Sequence, residues 1–374
     1  MFIHALILKL RHLCYDKGWK KSFPTQIKSI CVGNVAVGGT GKTPMTELIL
    51  RTLKENDVPA ADAEMYGFAG SLFSKPPLEV AVVSRGYKRS SRGFKVVRTN
   101  SSASECGDEP LQIKRKFPEV TVVVDENRVE ACDILAHPAK AKTEHFLRPD
   151  VIILDDAFQH RRIIPTKSIL LTTFARPFYN DRLLPLGRLR DLKSRAGKAD
   201  MTVVTKCPPY IEEPDKTLMA QKMGIKDYNC ADCSFTGEDG SRKYLLFATT
   251  VYDDVQLVFP DGEIRYKHSK SAILFTGIAD GTPLEQWLSK TYDVLENRSF
   301  ADHHNYTRAD IAWIADAARR FPTAIVVTTE KDAQRLRSRE GIIPEDLRQR
   351  LFYAPIRTQM LTAAEQNCLK DFIF

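Results

Sequence analysis

The sequence predicts an α/β fold, with a doubly wound, mostly parallel sheet and a second, smaller α/β domain. In the first half of the chain, short runs of β-branched and other apolar residues alternate with amphipathic helical stretches. Such continuous apolar runs are typical of parallel strands that are covered on both faces. The same alternation returns after about residue 270, which indicates a second sheet.

Six segments of the first half are predicted to be buried strands: 27–32, 80–83, 120–124, 151–154, 169–171 and 201–204. A helix begins near Pro44, with apolar residues at core spacing behind it. Residues 208–270 are richer in Pro, Gly and Asp and carry short alternating stretches, which favours a small antiparallel β connector. Strands at 271–277 and 324–329 follow, each before a helix.

These patterns predict three parts. Residues 1–25 form an N-terminal amphipathic helix, and residues 26–207 form the first domain, which residues 355–374 complete. Residues 208–354 form the smaller domain together with its β linker. Residues 58–78 form a long connection between the helix that begins near Pro44 and the strand at 80–83.

Composition and charge narrow the class of protein. The eight cysteines are scattered and suggest no disulfide framework, so a reducing compartment fits best, and Cys230 and Cys233 have no second pair at zinc-ribbon spacing. The formal net charge of +8 is concentrated in residues 1–28 and 85–98, each with six Lys or Arg. These clusters suit an anionic partner, and a solvated basic face is the alternative.

The N-terminus begins with an apolar run, and its charges start at Lys9, too early for a membrane span of about 20 apolar residues. The order of the charges also argues against a secretory signal. As a helix, the segment has the composition of one that lies on an anionic membrane surface. Packing against the core of the protein is the alternative.

The segment GGTGKT (38–43) almost completes a P-loop, although Ala36 occupies the place of the first glycine of the usual motif. A strand precedes the loop and an amphipathic helix follows it, as in P-loop NTPase-type folds. Glycines let the backbone amides turn toward a phosphate at the helix N-terminus. The predicted nucleotide-binding residues are therefore Gly38, Gly39, Thr40, Gly41, Lys42 and Thr43.

Acidic and histidine residues supply the other candidates. Asp155 and Asp156 directly follow a buried strand, where a P-loop enzyme places the carboxylates that manage Mg²⁺. Asp108 and Glu109 precede a helix and could be functional or simply cap it. The cluster at 302–304 could contain metal ligands, surface residues, or one working histidine beside a bystander.

Taken together, these segments resemble the tetraacyldisaccharide 4′-kinase family, the lipid A 4′-kinases of Gram-negative bacteria. The matching segments span about residues 15–335 in the order of the family: VGNVAVGGTGKTP (32–44), VSRGYKR (83–89), CGDEP (106–110), DENR (125–128), LDDAFQHR (154–161), LLPLGRLRD (183–191), FADHHNYT (300–307) and TTEKDA (328–333). The family loop is also built on GGxGKT, so the missing first glycine belongs to the resemblance. Ala157, Leu186 and Asp191 depart from the family pattern.

The resemblance implies transfer of the ATP γ-phosphate to the 4′-hydroxyl of tetraacyldisaccharide 1-phosphate, which gives lipid IV-A. It implies ATP and Mg²⁺ as cofactors, peripheral attachment to the cytoplasmic face of the inner membrane, and no nucleic-acid partner. The strongest rival class is a P-loop switch or partition-type ATPase that binds membrane or nucleic acid. Such a protein needs no acid and histidine for a sugar hydroxyl.

The resemblance also implies roles for individual residues. Lys42 and Asp108 are catalytic, with His303 as the partner of Asp108. Metal binding falls to Thr43, Asp155, Asp156 and Glu109. Sugar and lipid-phosphate contacts fall to Asn34, Arg85, Tyr87, Arg128, Gln159, His160 and Arg190.

Overall fold

The computed structural model describes residues 2–55, 77–302 and 304–374. The predicted insertion at 58–78 lies outside the described residues, apart from residues 77 and 78, and so does His303. None of the described helices is both long and apolar enough to cross a bilayer.

The described residues up to 207 form the helices and strands of the first part of the chain. In chain order they are α1 (Phe2–Asp16), β1 (Phe23–Pro24), β2 (Lys28–Gly33), α2 (Lys42–Glu55), β3 (Val80–Ser84), β4 (Lys95–Val97), α3 (Ala103–Cys106), α4 (Asp108–Lys116), β5 (Thr121–Val124), α5 (Arg128–Ala136), β6 (Val151–Asp155), β7 (Ile163–Ile164), β8 (Lys167–Thr173) and β9 (Met201–Cys207).

The rest of the chain adds elements to two different sheets. They are α6 (Glu213–Lys222), β10 (Ser234–Thr236), β11 (Arg242–Tyr252), β12 (Gln256–Leu257), β13 (Ser271–Thr276), α7 (Thr282–Leu288), β14 (Asp293–Ser299), α8 (Arg308–Arg320), β15 (Ile325–Thr329), α9 (Glu330–Arg337), α10 (Glu345–Arg348), β16 (Leu351–Ala354), β17 (Ile356–Met360) and α11 (Ala363–Ile373).

The larger sheet has the strand order β10-β11-β9-β8-β2-β6-β3-β5-β4, with β17 also paired to β11. The strands from β11 to β5 run parallel, and β4, β10 and β17 are antiparallel to their neighbours. Apolar side chains of its central strands enter one core on each face of the sheet. The apolar runs in the sequence therefore reflect strands that are covered on both sides.

The larger sheet continues beyond residue 207. β11 pairs in parallel with β9, and its far end pairs with β17. The sequence predicts that the stretch at 244–248 lies in a small antiparallel connector. The structure shows instead that this stretch extends the larger sheet. The alternating pattern of β11 could not show which sheet it joins. The domain boundaries at 207 and 354 remain predictions.

The smaller sheet has the order β12-β16-β15-β13-β14. Only the β12–β16 pairing is antiparallel. The strands β13, β15 and β16 are again apolar on both faces, with one core on the side of α8 and another on the side of α7, whereas the edge strand β14 alternates between exposed and half-buried residues. α9 follows β15 directly and faces α4 of the first part of the chain, which brings the two sheets together.

Helix α1 packs on the first part of the chain through one face only. Its buried His12 contacts Asp191 at 2.6 Å, and the Arg11 guanidinium donates to the Gln159 carbonyl oxygen at 3.1 Å. Its other face leaves large apolar side chains exposed, among them Leu6 (56% exposed) and Ile7 (57%). The predicted packing against the protein is thus confirmed for one face, and attachment of the other face to a membrane surface remains a prediction.

Candidate active site

The glycine-rich loop (residues 34–41) connects β2 to α2, which begins at Lys42. Gly38 (φ +105°) and Gly41 (φ +82°) adopt backbone conformations that residues with a side chain rarely reach. Ala36 instead forms an isolated antiparallel bridge with Leu189. Its position is extended, so it does not require the glycine of the usual motif.

Side chains from three segments hold this loop in place. The Asn34 amide donates to the Thr40 hydroxyl at 2.6 Å, and the Thr205 hydroxyl at the end of β9 donates to the Thr40 carbonyl oxygen at 2.8 Å. Thr43, in the first turn of α2, is buried. The Lys42 ammonium lies 3.7 Å from a carboxylate oxygen of Asp156. The loop is therefore attached both to β9 and to the acidic end of β6.

Asp155 ends β6 and is almost fully buried. Its Oδ2 accepts a hydrogen bond from the Ser84 hydroxyl at 3.2 Å, whereas its Oδ1 has no hydrogen-bond partner among the described residues. Burial, followed by the negative charges of Glu109 and Asp156, raises the pKa of Asp155 to about 7. Near neutral pH this carboxyl is therefore about half protonated, and a bound cation would displace the proton.

Asp156 has the opposite electrostatic character. Its backbone is left-handed (φ +50°), and the Arg190 guanidinium donates to both of its carboxylate oxygens. Burial raises the pKa of Asp156, but Lys42 and Arg190 outweigh this effect and leave it below the ordinary value. The two adjacent acids thus have distinct protonation behaviour, a pattern that is common at functional sites.

The chemistry of these groups fits a hard divalent cation. A buried carboxylate oxygen without a partner, a second carboxylate and the Thr43 hydroxyl are oxygen donors of the kind that Mg²⁺ prefers. Within the described parts of the chain, no three His, Cys, Asp or Glu side chains are close enough to hold a metal ion by themselves. Mg²⁺ in kinases usually takes only one or two carboxylates and completes its shell with water and substrate phosphates.

Asp108 and Glu109 open α4 on the other side of the site. The preceding Gly107 (φ +93°) packs closely on Gly86, where a Cβ atom would come within 3.2 Å of the backbone. This contact brings the end of α3 against the loop after β3. It sets the position from which both acids point toward α9.

Both acids are paired with bases of α9. Lys331 donates to Glu109 at 3.0 Å, and Arg335 donates to Asp108 at 3.3 Å. Burial raises the pKa of Glu109, but the charges of Lys331 and Lys42 outweigh this effect and lower it below the ordinary value. Because Lys42 acts on Glu109, the first turn of α4 lies within electrostatic reach of the glycine-rich loop.

Asp302, in the predicted cluster at 302–304, lies beside the same region, and His303 is outside the described residues. Burial lowers the pKa of Lys331, but Glu109 outweighs this effect, and Asp302 adds a smaller upward shift. Asp302 is therefore close enough to act on the base that pairs with Glu109. His304 contacts Asp310 at 2.9 Å and stacks on the Phe300 ring, so its side chain is engaged at the start of α8.

The predicted sugar and lipid-phosphate residues lie at the carboxyl ends of the neighbouring strands. Arg128 is buried, donates to the Asp125 carbonyl oxygen at 3.2 Å, and has an Nε without a partner among the described residues. Burial and then the charges of Arg128 and Arg85 lower the pKa of His160 to about 4. A small pocket beside them is lined by residues that include Arg128 and His160. An anion would find excess positive charge here.

The remaining predicted contacts differ in character. Gln159 donates to the Asn34 carbonyl oxygen, and Arg190 donates to the Asn34 amide oxygen at 2.6 Å. Asn34, Gln159 and Arg190 therefore form one hydrogen-bonded group around Asp156. Tyr87 is exposed, with the Lys88 ammonium 5.6 Å from the centre of its ring.

Sequence reasoning missed several residues of this site. Lys331 and Arg335 were not assigned a role, although Lys331 lies in the TTEKDA segment. Lys206 follows the predicted strand 201–204, and the sequence shows it only as a polar residue near the end of a strand. Their placement depends on contacts between elements that are distant in the chain, for which the sequence carries no local signal.

Comparison with known proteins identifies the family. The family model described as tetraacyldisaccharide-1-P 4′-kinase matches residues 1–61 and 71–373. A protein named tetraacyldisaccharide 4′-kinase from Bacteroides thetaiotaomicron is 33% identical over 373 residues, covering 96% of this chain and 87% of the relative. One of the same name from Parabacteroides distasonis is 35% identical over 365 residues, with 95% and 87% covered.

A solved structure supports the fold. The crystal structure of LpxK from Aquifex aeolicus in complex with ATP superimposes with a TM-score of 0.67 at 24% identity, covering 100% of this chain and 95% of that chain. This likeness confirms the predicted α/β fold with its mostly parallel sheet. The family match over nearly the whole chain confirms the resemblance seen in the sequence. The chain therefore belongs to the tetraacyldisaccharide-1-P 4′-kinase family.

Proposed function

We propose that this protein transfers the γ-phosphate of ATP to the 4′-hydroxyl of tetraacyldisaccharide 1-phosphate, giving lipid IV-A in lipid A biosynthesis. The observation that carries the proposal is the convergence of three elements on one point. Lys42 begins α2, Asp156 follows β6 and Glu109 lies in α4, and Lys42 acts electrostatically on both acids. Relatives at 33–35% identity are named for this reaction.

The glycine-rich loop supplies the nucleotide site in this proposal. The amides of Gly38, Gly39, Thr40 and Gly41 bind phosphate oxygens, and Lys42 neutralises the charge that develops on the transferred group. Phosphoryl transfer requires mainly positioning and charge neutralisation, which such a loop provides at a helix N-terminus. The Thr205–Thr40 hydrogen bond keeps the loop in one conformation before ATP arrives.

Thr43, Asp155, Asp156 and Glu109 would hold Mg²⁺. When bound, the ion neutralises phosphate charge and orients the phosphate oxygens. The unpartnered Oδ1 of Asp155 is the strongest support for this assignment. Arg190 and Lys42 keep the Asp156 carboxylate charged and in place.

Asp108 is the proposed base for the 4′-hydroxyl, and His303 its partner. A carboxylate near the reacting hydroxyl accepts the proton as the oxygen attacks phosphorus. Asp108 pairs with Arg335 at 3.3 Å, a long contact that leaves its second oxygen available for the hydroxyl. Because Arg335 and Lys331 belong to α9, the base and Glu109 reach the working position only while the two sheets are together.

A second set of contacts supports this dependence on closure. The Lys116 ammonium of α4 bridges Glu47 of α2, at 2.7 Å, and Glu330 of α9, at 2.9 Å. A partly buried cation shared by two buried acids ties the helix that follows the glycine-rich loop to the smaller sheet. We propose that closure of the two domains over ATP uses this bridge and limits hydrolysis by water.

Asn34, Arg85, Tyr87, Arg128, Gln159, His160 and Arg190 are proposed to bind the disaccharide and its 1-phosphate. The positive region around Arg128 and Arg85 suits the phosphate, because the Arg128 Nε lacks a partner among the described residues. Asn34, Gln159 and Arg190 share hydrogen bonds with the Asp156 region. Sugar binding at these residues would therefore affect the position of the Asp156 carboxylate at the phosphate-transfer centre.

The acyl chains of the substrate are held in a membrane, so the protein needs a surface that binds a membrane. Helix α1 has such a surface. Its outward face exposes Leu6, Ile7, Leu10 and Leu13, and the exposed Lys9 adds positive charge beside them. We propose that α1 lies on an anionic bilayer, at the cytoplasmic face of the inner membrane, and that the protein is peripheral.

Flotation with anionic vesicles tests the membrane proposal. The triple substitution Leu6→Ser, Ile7→Ser and Leu10→Ser removes the outward apolar face but leaves the His12–Asp191 contact in place. Vesicle binding is expected to fall at least tenfold, because about three buried apolar side chains are lost. Binding equal to that of the wild type would contradict the proposal. A Leu218→Ser variant, with an exposed leucine on α6, is the matched control.

The reaction itself is tested by the product. Purified protein, ATP, Mg²⁺ and tetraacyldisaccharide 1-phosphate in detergent micelles are expected to give a lipid heavier by one phosphate. Phosphorus–proton correlation in the nuclear magnetic resonance spectrum should place the new phosphate on the 4′-oxygen. A phosphate on another hydroxyl, or an unchanged lipid with active protein, would contradict the proposed acceptor.

A further inference from the structure

Lys206 is held in an unusual backbone conformation at the end of β9. Its φ is +55°, in the left-handed region that lysine rarely adopts. Such conformations cost free energy and persist where the surroundings impose them, often at ligand sites. The neighbouring Thr205 is hydrogen-bonded to the glycine-rich loop, so the end of β9 is fixed relative to that loop.

The Lys206 ammonium lies over the glycine-rich loop. A Cβ atom on Gly39 would lie 3.8 Å from the Lys206 Nζ, and one on Gly38 would lie 3.7 Å from the Arg188 guanidinium. Lys206 thus approaches the loop from the β9 side, whereas Lys42 belongs to the helix that follows it. The residue keeps exposed surface through which a ligand can reach it, although the neighbouring elements remove part of the water around its ammonium.

The charge of Lys206 is poorly compensated. Within residues 2–55, 77–302 and 304–374, no side chain or carbonyl oxygen makes a hydrogen bond or ion pair with its ammonium. Burial lowers the pKa of Lys206, and the positive charges of Lys331 and Arg188 lower it further, although Asp280 opposes them. Several cations therefore crowd one side of the loop, and an anion bound there would relieve their repulsion.

We propose that Lys206 is a second lysine that binds the phosphate chain of ATP, on the opposite side of the glycine-rich loop from Lys42. The ligand class is a nucleoside di- or triphosphate, and the inference rests on the proposed nucleotide site. In this proposal, Lys206 contributes charge and hydrogen bonds to the phosphate oxygens beyond the first phosphate. Adenosine and AMP lack these oxygens. The strained backbone of Lys206 keeps the ammonium aimed at the loop.

Nucleotide affinity measured by calorimetry tests this assignment. Lys206→Asn removes the charge while keeping a residue that tolerates the left-handed backbone, and Lys206→Arg keeps the charge. Lys88→Asn is the matched control, since Lys88 also has a left-handed backbone (φ +62°) but lies in the loop after β3. Circular dichroism melting confirms that each variant is folded.

The expected result is a loss of affinity for ADP of about ten- to one-hundredfold in Lys206→Asn, the size of a lost charged hydrogen bond. Affinity for AMP should stay within twofold, Lys206→Arg should recover most of the loss, and Lys88→Asn should bind ADP as the wild type does. Equal ADP affinity in Lys206→Asn and Lys88→Asn would overturn the inference. So would an equal loss for ADP and AMP, because that result would indicate a structural role.

Lys42→Ala separates this inference from the proposed function. If Lys42→Ala weakens ADP binding and Lys206→Asn does not, the nucleotide site stands and the role of Lys206 is wrong. If ADP binds the wild-type protein no more tightly than it binds Lys42→Ala, the nucleotide site itself is wrong, and the role of Lys206 fails with it.

Discussion

Replacement of Asp155 by asparagine should stabilise the ligand-free protein while it removes activity. Asp155 is almost fully buried, accepts one hydrogen bond from Ser84 and leaves its other oxygen without a partner among the described residues. Asparagine has nearly the same shape and can still accept the Ser84 hydrogen bond. The substitution therefore removes a costly buried charge and leaves little empty volume.

The size of the effect follows from the pKa of Asp155. A value of about 7 in the folded chain, against an ordinary 3.8, means that ionising this carboxyl costs about 4 kcal/mol of unfolding free energy at pH 8. The same reasoning gives a cost of about 2 kcal/mol at pH 5 and almost none below pH 3.8. Between pH 3.8 and 7 the folded state binds more protons than the unfolded state, so wild-type stability falls as the pH rises.

Urea denaturation at pH 5, 6.5 and 8 without Mg²⁺ measures this difference. Asp155→Asn should exceed the wild type in unfolding free energy, by an amount that grows from pH 5 to pH 8. Asp371→Asn, at an exposed position of α11, is the control and should match the wild type at each pH. A variant that is less stable than the wild type, or a difference that does not change with pH, would refute the electrostatic account of Asp155.

Three further predictions concern the rest of the site. Asp108→Asn should lower kcat by about a hundredfold or more, since a base is lost, with ADP affinity unchanged; steady-state kinetics within threefold of the wild type would remove Asp108 from the mechanism. Lys116→Met should lower the unfolding free energy in urea by about 3 kcal/mol, because Glu47 and Glu330 would be left buried without their shared cation, and a loss below about 1 kcal/mol would argue against the bridge. The pKa of His160 is about 4, so its folded state binds fewer protons than the unfolded state between pH 4 and 6.5; acidification from pH 8 to 5 should cost about 2 kcal/mol that His160→Gln does not lose, and parallel pH profiles would contradict this.

Local sequence signals predicted the part of the site that depends on neighbouring residues in the chain. The strand, glycine-rich loop and helix around Lys42 follow from apolar spacing and glycine placement, and Asp155 and Asp156 follow from their position after a strand. Parallel strands place their carboxyl ends on one edge of the sheet, which brings these segments together. The sequence could not show that Ala36 is extended, because that depends on its bridge to Leu189.

Contacts between distant segments could not be predicted in the same way. The pairs Lys331–Glu109 and His12–Asp191 join residues more than 170 positions apart, and neither partner carries a pattern that names the other. Asp191 is one of the positions that depart from the family pattern, and in this chain it binds α1 through His12. Likewise, the left-handed conformation of Lys206 depends on the packing of β9 against the glycine-rich loop.

If this protein transfers the γ-phosphate of ATP to a lipid hydroxyl, a single reaction with γ-labelled ATP should show the transfer. Labelled lipid and free labelled phosphate are counted in the same sample, with Lys42→Ala as the control. We expect about one labelled lipid for each ADP formed by the wild type, and neither product above background for Lys42→Ala. Free phosphate without labelled lipid, in a protein that is folded and binds ATP, would contradict this expectation.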